Sequence, residues 1–185
     1  MSAPYYHWLT EFLDKERPKT IVEIGVLRGK LTRKILNSNC KEFIKEYWCV
    51  DPWKPYKEFS DTQNIKKEND WPQERWDKLH DTLCSYYPYF PALRIMRMIS
   101  LEAAAIFKKA DYKFDMVFID DDHRYEEVVK GIKAWYPLVK EGGLLTGHDY
   151  NSKVEIYKEG VIKAVDERFG ANIEVTHDVW VHRKE

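Results

Sequence analysis

The sequence has no long apolar run and no excess of positive charge. A span of about 18 apolar residues, the length of a membrane-crossing helix, is missing, and residues 1–20 lack the apolar core of a secretory signal. The net charge is -1 and both signs are interleaved along the chain, so no broad positive field favours a polyanion. We therefore expect no membrane partner, no nucleic-acid partner and a cytoplasmic location.

Cysteine and repeated sequence are also scarce. Cys40, Cys49 and Cys84 are odd in number and have no metal-ligand spacing, which favours free thiols in a reducing compartment. The chain contains no internal repeat and no low-complexity tract. Its 185 residues fit one domain spanning 1–185 with a substantial core.

Aromatic side chains, in contrast, are abundant. They make up 15% of the chain and concentrate between residues 47 and 91. The segment of about residues 52–92 is longer than a plain crossover between strands. We expect part of this aromatic-rich segment to form an extra helix or a lid beside a ligand.

Apolar runs typical of buried strands alternate with segments of helical periodicity. The pattern predicts strands at 20–24, 47–50, 93–98, 114–119 and 144–147, and helices at 4–16, 31–36, 102–109, 125–136 and 154–169. Residues 173–176 and 179–182 flank a tight turn and predict an antiparallel hairpin at the sheet edge. The predicted fold class is α/β, with a doubly wound, mostly parallel seven-stranded sheet.

Acidic and imidazole side chains follow two of the predicted strands. The strand at 114–119 runs into Asp120-Asp121-Asp122-His123, and the strand at 144–147 runs into His148-Asp149. Ligands bind outside the carboxyl ends of the strands in open α/β sheets. Two neighbouring strands would therefore aim oxygen and nitrogen donors at one crevice, an arrangement that suits a divalent cation.

A turn with two glycines follows the first predicted strand. Gly25 and Gly29 would let the backbone pass close to a ligand, although a purely structural turn is the alternative. Leu27 stands where a dinucleotide-binding turn has its second glycine, which argues against a nicotinamide or flavin cofactor. Asp51, about 26 residues after Gly25, is placed to bind both hydroxyls of a ribose. Trp53 either covers an adenine ring or packs in the core.

These motifs resemble those of class I S-adenosylmethionine-dependent methyltransferases over about residues 20–150. The motifs are Glu23-x-Gly25-x-x-x-Gly29, Val50-Asp51-Pro52-Trp53 and the run from Phe114 to Asp120. Together with the run from Gly142 to Tyr150, the last motif is similar to the small metal-dependent O-methyltransferases of the catechol and macrocin types. The resemblance implies a Rossmann-like methyltransferase fold and S-adenosylmethionine as the cofactor.

The resemblance also implies roles for individual residues. The cofactor would be bound at its methionine end by Glu23, Gly25 and Gly29, at its ribose by Asp51, and at its adenine by Trp53, Ile99 and Ser100. The metal-ligand positions are matched by Asp120, His148 and Asp149. His148 replaces the carboxylate that is usual in the catechol type. Mg²⁺ prefers oxygen ligands, whereas an imidazole also admits Mn²⁺, Fe²⁺ or Zn²⁺; we expect Mg²⁺ or Mn²⁺.

Two neighbouring residues compete for the role of the catalytic base. In the macrocin type, the carboxylate two positions beyond the first metal ligand takes the acceptor proton, and this position corresponds to Asp122. His123 is the competing base, because imidazole titrates near neutrality. Alternatively, both side chains only cap the helix that begins near Tyr125.

The predicted function is metal-assisted O-methylation of a hydroxyl on a small-molecule acceptor, either a sugar or a phenol or catechol. Two other enzymes remain open. One is a glycosyltransferase that binds its metal through Asp120 and Asp122, and the other is a non-haem iron oxygenase that uses His123, His148 and Asp149. A catalytically inactive adenosyl-binding module is the alternative from a different class. The aromatic surplus and the terminal hairpin also favour a homo-oligomer.

Overall fold

The computed structural model describes residues 4–55, 71–151 and 155–185, without the side chains of residue 4 and of residues 155–158. The strands are β1 Thr20–Ile24, β2 Glu46–Val50, β3 Leu93–Met96, β4 Phe114–Ile119, β5 Val139–Gly147, β6 Glu174–Thr176 and β7 Val179–Arg183. The α-helices are α1 Pro4–Glu16, α2 Lys30–Leu36, α3 Gln73–Cys84, α4 Ser100–Lys109, α5 Tyr125–Trp135 and α6 Glu155–Phe169. Short 3₁₀ helices cover Asn39–Glu42 and Tyr136–Leu138.

The described strands form one seven-stranded sheet in the order β3-β2-β1-β4-β5-β7-β6. The five strands β1 to β5 pair in parallel, and β7 lies antiparallel between β5 and the edge strand β6. This arrangement confirms the predicted fold class. The central strands read as apolar runs because helices cover both faces of the sheet, and β1 and β4 are buried along almost their whole length.

Two hydrophobic cores lie on opposite faces of the sheet. Helices α1, α2 and α3 cover one face, and helices α4, α5 and α6 cover the other. Among the described residues, no helix combines the length and the apolar character needed to cross a bilayer.

Two predicted strand boundaries were wrong by two residues or more. Gly142 and Gly143 lie inside β5 and do not form a turn before it, because both pair with Lys184 through backbone hydrogen bonds of 2.9 Å. The register of β4 against β5 shifts between Phe114 and Met116, opposite these glycines. At the other edge, β3 ends at Met96 instead of residue 98 because Met98 N–H turns back to the Met96 carbonyl at 3.1 Å.

The aromatic-rich segment of residues 52–92 contains α3, the extra helix that the sequence predicted there. This helix packs on the turn after β1: a Cβ added to Gly29 would lie 2.8 Å from Leu83 Cδ1. Residues 56–70 of the segment lie outside the described part of the chain, so its closure as a lid remains a prediction.

Candidate active site

A cavity of about 520 Å³ opens at the carboxyl ends of the central strands. The strand order reverses between β1 and β4, which is the switch point where open α/β sheets bind ligands. The cavity is lined by the turn after β1, the ends of β2 and β4, the first residues of α1 and α4, and one side chain of α3. A volume of this order suits a nucleoside-sized ligand.

The turn after β1 packs directly against the loop after β4. Gly25 has φ of +82°, and a Cβ there would lie 2.1 Å from the Asp120 carbonyl oxygen. Asp120 N–H in turn donates to the Ile24 carbonyl at 2.8 Å. The glycine therefore permits a close approach between two loops of this chain, and this approach fixes the position of Asp120 at the cavity wall.

Asp51 clamps the same turn from the end of β2. Its Oδ2 accepts the backbone N–H groups of Val26 and Leu27, both at 2.9 Å, and its Oδ1 accepts that of Trp53 at 2.7 Å. Burial raises the pKa of Asp51 despite these three bonds. The carboxylate lines the cavity, and its predicted contact with a ribose remains a prediction.

Glu23 lines the cavity from inside the sheet and is only 2% exposed. Its Oε2 accepts hydrogen bonds from the Thr32 hydroxyl at 2.6 Å and the Tyr47 hydroxyl at 2.7 Å. Burial raises the pKa of Glu23 to about 8, because the two hydrogen bonds offset only part of the desolvation. A cationic group of a ligand beside this carboxyl would favour its ionised form.

Trp53, Gly29 and Ile99 do not line the described cavity. The Trp53 ring is fully buried, and its Nε1–H donates to the Leu27 carbonyl at 2.9 Å, so the ring supports the β1 turn from the core. Gly29 caps α2 with φ of +60°, and Ile99 caps α4. Their predicted contacts with the cofactor remain predictions.

Ser100 and Asp121 form the opposite end of the cavity. The Ser100 hydroxyl accepts the Trp135 indole N–H at 2.9 Å. Burial raises the pKa of Asp121 to about 7, and hydrogen bonds to Ser100 and to the backbone of Asp122 offset part of that increase. The sequence did not single out Asp121, although its place directly after Asp120 at a strand end was a usable signal.

Four side chains meet beside this cavity at the ends of β4 and β5. His123 Nε2 lies 2.7 Å from Asp149 Oδ2 and 3.5 Å from Asp120 Oδ1. His148 Nδ1 lies 3.3 Å from Asp149 Oδ2 and 3.6 Å from Asp120 Oδ1. We call these four residues the Asp/His cluster. The structure thus brings together the three predicted metal ligands and adds His123 to them.

Charge pairing dominates the Asp/His cluster. Burial alone would lower the pKa of His123 and His148, but hydrogen bonds and charges of Asp120 and Asp149 outweigh it and raise both to about 10. Burial alone would raise the pKa of Asp149, but the two histidines outweigh it and hold that pKa well below its usual range. Two imidazolium ions therefore balance two carboxylates.

The donor set of the cluster fits a divalent cation. Ligand atoms of Asp120, His123 and Asp149 lie within 4.8 Å of one another, so one ion can contact all three. Two carboxylate oxygens with one or two imidazoles suit Mn²⁺ or Zn²⁺ as well as Mg²⁺. Ligand histidines must be neutral, so a cation would take the place of the protons that now balance the charge.

The other candidate base, Asp122, is paired with Arg124. The Arg124 backbone N–H donates to Asp122 Oδ1 at 3.0 Å, and its guanidinium donates to Oδ2 at 2.7 Å. Both Asp122 and His123 line the cavity. Each side chain could therefore contact a ligand in the cavity, but Asp122 is already paired with the Arg124 guanidinium.

Helix α1 contributes residues that sequence analysis missed. Tyr5 and Tyr6 line the cavity, and the Tyr5 ring packs on the His148 ring at 4.1 Å between centroids. Burial raises the pKa of Tyr5 above its ordinary range, so its hydroxyl acts as a hydrogen-bond donor. The sequence predicted helix α1 but gave no signal for its docking place, which depends on tertiary packing.

The strand order β3-β2-β1-β4-β5-β7-β6, with β7 antiparallel and a cavity at the switch point, is that of a Rossmann-like methyltransferase fold. Residues 22–150 match the family model described as a methyltransferase domain. The chain therefore belongs to this methyltransferase family, which confirms the prediction of an S-adenosylmethionine-dependent methyltransferase. Family membership does not favour the glycosyltransferase, the iron oxygenase or the inactive binding module.

Solved O-methyltransferases share the fold at low sequence identity. TomG from Streptomyces achromogenes, which is involved in tomaymycin synthesis and was solved with SAM, has 11% identity and a TM-score of 0.65, over 100% of this chain and 82% of TomG. An O-methyltransferase from Bacillus cereus in complex with SAH has 16% identity and a TM-score of 0.58, over 98% of this chain and 80% of that chain. CalS11, a TDP-rhamnose 3'-O-methyltransferase of calicheamicin biosynthesis, has 12% identity and a TM-score of 0.62, over 95% of this chain and 77% of that chain. No curated protein sequence matches the chain.

Proposed function

We propose that this protein transfers a methyl group from S-adenosylmethionine to a hydroxyl of a small molecule with the help of a divalent cation. The observation that carries the proposal is the position of the Asp/His cluster. Asp120 and His123 belong both to this cluster and to the wall of the nucleoside-sized cavity. A cation and a methyl donor bound at these places would be neighbours.

The fold neighbours support an oxygen acceptor. TomG, the Bacillus cereus enzyme and CalS11 are all named O-methyltransferases, and CalS11 is named for a sugar nucleotide. What these three names have in common is the class of atom that is methylated, an oxygen, and we propose the same class for this protein. A sugar hydroxyl and a phenol or catechol hydroxyl both fit the proposed chemistry.

The residues around the cavity would hold and orient the reactants. Glu23 would pair with the ammonium group of the methionine portion, Asp51 would accept from the ribose hydroxyls, and Asp121 would accept from the adenine amino group. The cofactor supplies an electrophilic methyl group, and a bound divalent cation lowers the pKa of an acceptor hydroxyl. Asp120 and Asp149 would hold the cation with His148, the ligand that the resemblance implies, or with His123, whose ligand atom lies within 4.8 Å of both carboxylates. Tyr5 would keep the His148 ring in place.

A base must accept the proton of the acceptor hydroxyl. His123 and Asp122 are both in reach of the cavity. The Arg124 guanidinium already donates to Asp122 Oδ2 at 2.7 Å, so that carboxylate is engaged in an ion pair. If the cation leaves the imidazole of His123 without a metal bond, His123 is the better base. If His123 becomes a fourth ligand, the proton passes to Asp122.

The cation, the location and the oligomeric state are further parts of this proposal. We propose Mg²⁺ or Mn²⁺ as the cation and a cytoplasmic location, and the free thiols of Cys40, Cys49 and Cys84 are consistent with a reducing compartment. We also keep the homo-oligomer as a proposal, since Leu101, Ile106 and Val129 expose apolar side chains on α4 and α5.

Separate titrations with S-adenosylhomocysteine and Mn²⁺ test the proposal. Calorimetry should show binding of both to the wild type. Asp120→Ala should abolish Mn²⁺ binding and leave S-adenosylhomocysteine binding in place, because it removes a metal ligand without touching Glu23 or Asp51. Asp149 is less suitable for replacement by alanine because its φ is +60°.

The matched control is Asp81→Ala, which removes an exposed carboxylate on α3 outside the cavity and should change neither titration. A wild type that does not bind S-adenosylhomocysteine would contradict the methyltransferase function. Undiminished Mn²⁺ affinity in Asp120→Ala would contradict the metal site alone.

A further inference from the structure

Helix α6 follows one part of the Asp/His cluster in the chain and packs beside the other part in space. It begins a few residues after Asp149, and Val161 and Val165 bury it against the sheet. The other part of the cluster includes His123, which lies in the loop between β4 and α5. Contacts between α6 and this loop, which we call the His123 loop, therefore connect the two parts.

One of these contacts requires a glycine. A Cβ on Gly160 of α6 would lie 2.2 Å from the His123 carbonyl oxygen and 3.0 Å from the Tyr125 backbone nitrogen. Both atoms belong to the backbone, so no side chain fits between the helix and the His123 loop at this point. Glycine weakens the interior of a helix relative to alanine. The close approach of α6 to the His123 loop explains why a glycine stands here.

Two further side chains on the same face of α6 contact the end of the His123 loop. Lys163 and Glu167 follow Gly160 by three and seven positions, a spacing that places all three residues on one helix face. The Lys163 ammonium lies over the Tyr125 ring at 4.2 Å, and the Tyr125 hydroxyl donates to Glu167. Tyr125 is the first residue of α5. This face of α6 therefore fixes the segment from His123 to Tyr125.

The ring of His123 reaches from this segment into the Asp/His cluster. Its Nε2 lies 2.7 Å from Asp149 Oδ2, against 3.3 Å for His148 Nδ1. It lies 3.5 Å from Asp120 Oδ1, against 3.6 Å for His148 Nδ1. Ligand atoms bonded to one cation at about 2.1 Å lie roughly 3.0–3.5 Å from their neighbours in octahedral or tetrahedral geometry. His123 therefore needs little movement to share a cation with both carboxylates.

We propose that His123 is a ligand of the cation and that Gly160 is the positioning residue that holds it in the Asp/His cluster. The proposal rests on the proposed function, because it concerns the cation of the same site. It also assigns the base. The acceptor oxygen takes the methyl group from the sulfonium, which leaves as a thioether. With His123 bonded to the cation, the proton of that oxygen passes to the Asp122 carboxylate.

Mn²⁺ titrations, followed by the electron paramagnetic resonance of the free ion, test the proposal. His123→Ala should weaken Mn²⁺ binding by at least about tenfold because it removes a ligand, and Gly160→Ala should weaken it by about tenfold because it displaces that ligand. The double variant should bind Mn²⁺ as His123→Ala does, because both changes act through one side chain. S-Adenosylhomocysteine affinity in metal-free buffer should match the wild type in every variant, which a general loss of structure would not allow.

The matched control is Gly131→Ala, which also replaces a helix glycine. A Cβ on Gly131 would meet nothing within 4 Å, so this variant should bind Mn²⁺ as the wild type does. If Gly160→Ala does not fold, Tyr125→Phe replaces it, since it removes only the hydroxyl that donates to Glu167. Tyr125→Phe should weaken Mn²⁺ binding by a few-fold.

Three results would overturn the proposal: wild-type Mn²⁺ affinity in His123→Ala, wild-type affinity in the folded α6-contact variant, or losses that multiply in the double variant. A wild type that binds S-adenosylhomocysteine but not Mn²⁺ would overturn it together with the metal site. A wild type that does not bind S-adenosylhomocysteine would contradict the methyltransferase function itself. The failure of the proposal and the failure of the proposed function are therefore distinguishable.

Discussion

Glu23 couples the stability of the protein to pH. Its pKa in the folded state is about 8, against an ordinary value of 4.5. The folded state therefore holds a proton on Glu23 that the unfolded state releases. Between these two pH values the folded state binds more protons than the unfolded state, so the free energy of unfolding falls as the pH rises, by at most about 1.4 kcal/mol per pH unit for this one group.

Glu23→Gln should remove this contribution. The glutamine carbonyl can still accept from Thr32 and Tyr47, and its amide has no charge to desolvate. Relative to the wild type, the variant should gain stability as the pH rises from 5 to about 8 in urea denaturation. Glu42→Gln, an exposed carboxyl in a 3₁₀ helix, is the control. If the stability difference between Glu23→Gln and the wild type does not change with pH, the pKa of Glu23 is not raised in the folded protein.

The residue scale also shows what the sequence could predict. The sequence could predict four residues of the site: Asp51, Asp120, His148 and Asp149. Each lies just after a strong apolar run, and the carboxyl ends of parallel strands share one edge of the sheet. The sequence could not predict that Trp76 and Tyr5 belong to the site. They reach the cavity only because α3 and α1 dock where they do, and docking depends on side-chain packing that periodicity does not encode.

At the scale of elements, the contact between the β1 turn and the β4 loop determines where Asp120 lies. The β1 turn donates backbone N–H groups to Asp51 and packs against Asp120 in the β4 loop, and the two loops can approach because Gly25 has no side chain. The same element pair carries the backbone bond from Asp120 to Ile24. A substitution in the β1 turn should therefore displace Asp120 and weaken metal binding.

Gly25→Ala should destabilise the protein and weaken Mn²⁺ binding together. The added Cβ would lie 2.1 Å from a backbone oxygen of Asp120, at a φ of +82° that alanine disfavours. We expect a loss of roughly 3 kcal/mol or more in the free energy of unfolding. Urea denaturation and a Mn²⁺ titration of the same preparation would measure both effects.

Gly131→Ala is the control for this change. Gly131 lies in α5, and a Cβ there would meet nothing within 4 Å, so the substitution should stabilise the helix by about 0.5–1 kcal/mol and leave Mn²⁺ binding unchanged. If Gly25→Ala behaved like Gly131→Ala, the close approach of the two loops would not hold Asp120 in place.

The ends of helices and strands were predictable where the apolar pattern of the element is uninterrupted. Helix α1 and strands β1 and β4 have the predicted bounds. The start of β5 was not predictable, because Gly142 and Gly143 read locally as a turn, and only their pairing with Lys184 of the terminal hairpin keeps them in the strand. Long-range pairing here overrides local propensity.

For the whole molecule, the order of the strands places the chemistry. The chain adds β2 and β3 on one side of β1 and then β4 and β5 on the other, so the crevice lies at the switch point between β1 and β4. The alternation of strands and helices predicted a mostly parallel, doubly wound sheet but not the order of its strands. The place of Lys30 and Trp76 in the cavity wall was not predicted, because it depends on how α2 and α3 dock on the sheet.

The central claim is that a methyl donor and a divalent cation bind side by side at this crevice. A crystal structure of the protein with S-adenosylhomocysteine and Mn²⁺, with the anomalous signal of manganese measured, tests it most directly. The account predicts an anomalous peak bonded to Asp120 and Asp149, and a ribose whose hydroxyls contact Asp51. An anomalous peak away from the Asp/His cluster, or an S-adenosylhomocysteine bound outside the cavity, would contradict it.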